Sequence, residues 1–84
     1  MGIREILNEM LWDPRYDFSR VEIWYLHRTM DSRETVRVVQ GDAVIRLGKS
    51  FIETQGGVIP YHRVRKIVYG TGVVLDRTMG EIQG

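Results

Sequence analysis

The sequence has no cysteine, two prolines and two histidines in 84 residues. Without cysteine there is no disulfide framework, thiolate zinc site or cysteine nucleophile, and two histidines alone do not complete a structural metal site. Stability has to come from packing. No apolar run approaches the roughly 18 residues of a membrane-crossing helix, and the start, Met1-Gly2-Ile3-Arg4-Glu5, lacks the apolar stretch of a secretory signal. The expectation is a cytoplasmic protein without a membrane partner. The length suits a single domain, 1–84, with one modest core and no deep multi-lobed cleft. That argues against a large cofactor enzyme, and neither cofactor nor metal is expected.

Charge of one sign is also scarce, with a formal net of +1. Composition alone therefore does not announce a nucleic-acid binder. The distribution is uneven, however. Residues 1–35 hold seven acids and five bases, while residues 36–84 hold four acids and seven bases. The second half is the better place for an anion.

Ile3, Ile6, Leu7, Met10 and Leu11 recur at helical spacing, and Arg4, Glu5, Asn8 and Glu9 fill the other face. This predicts an amphipathic helix that stops at Asp13-Pro14, because proline lacks an N–H and pushes its predecessor out of the α region. From Val21 to Arg28 the pattern alternates, with Val21, Ile23, Tyr25 and His27 on one face and Glu22, Trp24, Leu26 and Arg28 on the other. Further β-prone runs occur at 35–39, 44–47, 51–54, 58–64, 65–69 and 73–75. Gln55-Gly56-Gly57 and Gly70-Thr71-Gly72 read as hairpin turns. Pro60 fits only an edge strand, a strand start or a bulge, so a kink is expected just before Tyr61-His62-Arg63. The fold class is α+β: an N-terminal amphipathic helix packed on a curved, mainly antiparallel sheet of about five or six short strands.

The densest chemistry lies in Ile59-Pro60-Tyr61-His62-Arg63-Val64-Arg65-Lys66, which puts an imidazole, two guanidiniums and an ammonium beside an aromatic ring. A guanidinium fork matches two phosphate oxygens, and histidine adds a further donor. As a continuous strand, the run would split Tyr61, Arg63 and Arg65 from His62, Val64 and Lys66. The bland alternative makes Arg65 and Lys66 ordinary solvated residues. Arg77 follows the last run beside Asp76, and the hairpin would bring that pair toward Arg63 and Arg65. Trp12-Asp13-Pro14-Arg15 places a flat aromatic at the helix exit, where it serves either as a plug over the core or as a stacking surface, the plug being the commoner role. His27-Arg28-Thr29 matches half of a paired His-x-Thr phosphoesterase signature, but no second copy follows His62.

Taken in order, Ile3-Arg4-Glu5-Ile6-Leu7-Asn8, Leu11-Trp12-Asp13-Pro14-Arg15, the Tyr25 strand, Ile59-Pro60-Tyr61-His62-Arg63-Val64 and Gly72-Val73-Val74-Leu75-Asp76-Arg77 make the chain resemble the RNA cyclic group end recognition domain. The resemblance runs from Ile3 to Arg77. It implies binding of RNA, at a single-stranded 3′ end carrying a 2′,3′-cyclic phosphate, during RNA processing and beside RNA-processing protein partners. The motif positions it carries over are Ile59, Pro60, His62, Arg63, Asp76, Arg77, Trp12, Asp13, Pro14 and Arg15. Two positions depart from the family pattern: Leu75 stands where an aromatic is expected, and His27-Arg28 where relatives show Asp-Arg. The first weakens stacking at 75, and the second argues against catalysis by His27.

The expected phosphate- and RNA-binding set is therefore His62, Arg63, Arg77, Arg65, Tyr61, Trp12 and Arg15, with no catalytic residue assigned. The alternatives are a small phosphodiesterase or cyclic-phosphate hydrolase using His62, with His27 as its possible acid–base partner, and a protein-interaction adaptor presenting a basic face.

Overall fold

The computed structural model describes residues 2–28, 30–31 and 33–76, and the N-terminal apolar spacing forms α1, Ile3–Trp12. Ile3, Leu7 and Met10 are buried and Ile6 packs beside them, whereas Leu11 is exposed. At 3.6 residues per turn Leu11 lies about 80° round the axis from Ile3, at the edge of the stripe. The Asp13 N–H donates to the Glu9 carbonyl at 2.9 Å, and Pro14 ends the helix.

Among the described residues seven strands follow: β1 Val21–Arg28, β2 Glu34–Gln40, β3 Val44–Leu47, β4 Phe51–Thr54, β5 Gly57–Pro60, β6 Val64–Tyr69 and β7 Gly72–Asp76. All pair antiparallel, in a four-stranded sheet ordered β2-β1-β6-β7 and a three-stranded sheet ordered β3-β4-β5. The α+β expectation holds, with seven strands in two sheets where five or six in one curved sheet were expected. The extra division comes from residues 58–64. Pro60 ends β5 at the edge of the smaller sheet, where its missing N–H costs no ladder bond. Tyr61–Arg63 then makes a 3-10 turn, and β6 opens in the other sheet.

The core lies where α1 meets both sheets, built from Val21 and Ile23 of β1, Ile52 of β4, Ile59 of β5, Val64 and Ile67 of β6 and the three buried residues of α1. Two other 3-10 turns, Phe18–Arg20 and Gly41–Ala43, seat the ends of β1 and β2 against each other. Their approach requires glycine, since a Cβ on Gly41 would stand 1.7 Å from the Phe18 carbonyl oxygen. The β4–β5 hairpin closes through Thr54, whose hydroxyl donates to the Gly57 carbonyl at 2.7 Å and accepts the Gly56 N–H at 3.2 Å. Gly57 takes φ +142°, which side-chain-bearing residues rarely adopt. No helix among the described residues is long and apolar enough to cross a membrane.

Candidate anion-binding groove

Along β1 the alternation buries Val21 and Ile23 and leaves Tyr25 and His27, on the same face, half-buried. The β1–β6 ladder ends at Tyr25↔Val64, whereas the β1–β2 ladder continues to Arg28↔Glu34. β6 starts late because residues 61–63 are occupied in the 3-10 turn arriving from the other sheet. The far end of β1 therefore opens on a hollow of about 220 Å³, walled by Tyr25, His27, Val58, Ile59, Pro60 and Arg63, with Leu26 and Arg28 on the bordering strand. Leu26 and Arg28 alternate to the opposite sheet face, so the side chains β1 offers to the hollow are Tyr25 and His27.

A second hollow of about 270 Å³ lies toward β2 and shares Tyr25, His27, Val58 and Ile59 with the first. Its own walls include Arg37, Val39, Thr54 and the glycine turn at 56–57. Arg37 pairs directly with Tyr25 across β1 and β2, which puts the two on one face. The two hollows thus form one groove between β5 and the larger sheet, with Arg63 at one end and Arg37 at the other.

The turn that delivers Arg63 is pinned from behind. The Tyr61 hydroxyl donates to the Gly48 carbonyl at 2.7 Å, an oxygen that also accepts from Arg4 Nε at 3.2 Å. Burial pushes the Tyr61 phenol above its ordinary pKa, while the Arg4 charge pulls the other way. Tyr61 is therefore a half-buried anchor. Arg63 is half-buried in the groove, and no carboxylate of the described residues pairs with Arg63, Arg37 or Arg28. His62 is exposed and lines neither hollow, so it does not join His27 in either of them.

The model of the MJ1316 RNA cyclic group end recognition domain matches residues 1–77. The chain belongs to that family. A UPF0248 protein of Archaeoglobus fulgidus is 38% identical over 72 residues, 84% of this chain and 99% of the relative. One from Methanococcus maripaludis is 33% identical over 66 residues, 79% of this chain and 83% of the relative. A third, from Thermococcus onnurineus, is 29% identical over 83 residues, 99% of this chain and 92% of the relative. No solved structure matches the chain.

Within this fold, the sequence-derived residues separate. Arg63 enters the groove. Tyr61 is spent on Gly48, and Arg65 falls at the register shift of β6 against β1, outside both hollows. Lys66, expected to be merely solvated, holds its ammonium 4.3 Å from the centre of the Trp24 ring on the outer sheet face. Trp12 is 75% exposed, with its Nε1 donating to Asn8 at 3.2 Å, so the plug reading fails. At the very end of α1 the ring has passed the buried stripe and has no core to cover. Arg15 is committed to Asp13, with Nη2 at 2.7 Å from Oδ2 and Nε near both carboxylate oxygens. Those bonds hold the Asp13 carboxyl below its ordinary pKa and raise that of Arg15. Leu75 packs against the core opposite Ile67. Arg77 lies outside the described residues, as does Thr29 of the His27-Arg28-Thr29 motif.

His27, Tyr25 and Arg37 line the hollows but stand outside the phosphate-binding set expected from sequence. The available signal was the β1 alternation, which continues the core-facing stripe of Val21 and Ile23 with a tyrosine and an imidazole. Among the described residues no cluster of three or more His, Cys, Asp or Glu side chains is placed to hold a metal ion.

Proposed function

We propose that this chain, as a single domain acting in the cytoplasm, binds the 3′ end of single-stranded RNA, with a terminal 2′,3′-cyclic phosphate seated between Arg63 and His27. The observation that carries the reading is a half-buried guanidinium and an imidazole facing one hollow of about 220 Å³ with no carboxylate of the described residues paired to that guanidinium. The family description, RNA cyclic group end recognition, supports the ligand class. A cyclic phosphate presents two free oxygens to the Arg63 fork, and the His27 imidazole donates through a ring N–H. Val58, Ile59 and Pro60 suit the apolar side of the ribose, and Tyr25, which lines the same hollow, contacts the last base. Phosphate contacts carry no base information, so binding tolerates sequence and follows the chemistry of the end. Partners are then RNA and the processing proteins that generate or consume such ends.

The test is titration of short single-stranded RNAs that differ only in a 3′ hydroxyl, open phosphate or 2′,3′-cyclic phosphate, at fixed salt, with products checked for hydrolysis. The proposal expects preference for the cyclic end without conversion. Conversion would move the protein to the enzyme class, and equal weak binding to all three would leave an adaptor or a general RNA binder.

A further inference from the structure

We infer that the groove reads more than the terminal nucleotide: it takes a dinucleotide end, with the phosphate linking the last two residues held by Arg37. This rests on the end-binding reading above. The second hollow is larger than the first, shares four walls with it and ends at a guanidinium that no carboxylate of the described residues neutralises. Arg37 and Val64 flank Tyr25 on either side, two strand spacings or about 10 Å apart at the backbone. Arg63 adjoins Val64. Two long side chains reaching inward across that span bring their charges within range of neighbouring phosphates on one strand. Tyr25 sits midway, where a base or ribose lies between those phosphates. A site for a lone end group needs only the Arg63 side, and a continuation of mixed polar and apolar lining that ends in a second cation fits a chain that continues away from the end.

The experiment compares three cyclic-ended probes: adenosine 2′,3′-cyclic monophosphate, the adenosine dinucleotide with the same end, and that dinucleotide with an uncharged methylphosphonate linkage. Each is titrated against the parent protein and Arg37→Gln, a change at an exposed strand position. The dinucleotide should bind at least about tenfold more tightly than the mononucleotide, the worth of one charge-assisted contact. Both the uncharged linkage and Arg37→Gln should erase that gain while mononucleotide affinity stays the same, and the logarithmic salt slope should fall by about 0.7. Equal binding of mononucleotide and dinucleotide, or a gain that survives both changes, would overturn the dinucleotide seat while leaving end binding intact. Failure of the parent to bind any of the three probes would overturn end binding and this inference together.

Discussion

The helix exit and the groove both set an aromatic ring near guanidinium groups, yet the protein treats them in opposite ways. At the exit, Arg15 is bonded to Asp13 two residues away, Asp17 caps the next turn by accepting from Ser19, and the Asp17 N–H donates to the Tyr69 hydroxyl at 2.8 Å. Tyr69 in turn meets the Tyr16 ring edge-on at 5.1 Å between centroids. The polar groups there serve one another and fix how α1 enters the sheet. In the groove, Arg63 and Arg37 have no such carboxylate among the described residues, although Arg63 is half-buried and pays part of the desolvation cost of its charge. A motif rich in charge marks a binding site when its charges are left for a ligand, and a structural joint when they satisfy each other.

The largest effect expected from breaking this contrast is at Arg63. Arg63→Ala should weaken binding of cyclic-ended RNA by ~1.5–3 kcal/mol, the range for a hydrogen bond to a charged group, measured by titration, with the thermal midpoint almost unchanged. His27→Ala should cost about 0.5–1.5 kcal/mol of the same binding, and His62→Ala should leave it unaltered. At the helix exit, Asp13→Asn should lower stability without changing RNA affinity. Because the folded Asp13 pKa lies below its unfolded value, its contribution is present above the unfolded pKa and is lost as pH falls through the folded one. The stability gap between parent and Asp13→Asn in chemical denaturation should therefore hold at neutral pH and close below about pH 4. The smallest effect is at Trp12, where Trp12→Ala should shift stability by no more than about 0.5 kcal/mol and leave end binding intact.

Much of the fold was legible because its signals are local. The α1 stripe, the Pro14 stop, the alternation of β1 and the two glycine hairpins each follow from neighbouring residues, and the kink at Pro60 was readable from its missing N–H. The division into two sheets was not. It depends on Tyr61 finding the Gly48 carbonyl, a partner 13 residues away that no periodicity identifies. The same contact decides the site, since it turns His62 outward and Arg63 into the groove where a plain strand would only alternate them. Arg63 was legible from the charge-rich motif. Arg37 was not, because it becomes relevant only when β2 pairs in register with Tyr25 and the hairpin of the other sheet closes over both. Arg15 looked equally available in the sequence, and its capture by Asp13 is a matter of side-chain geometry.

The most direct test of the contrast is nuclear magnetic resonance mapping of side chains during addition of a short RNA with a 2′,3′-cyclic end. The His27 imidazole and the Arg63 guanidinium signals should move together and saturate with the binding curve, while the Trp12 indole and Arg15 guanidinium signals stay in place. Saturable shifts at Trp12 and Arg15 with His27 and Arg63 unmoved would contradict the account and put the RNA at the helix exit.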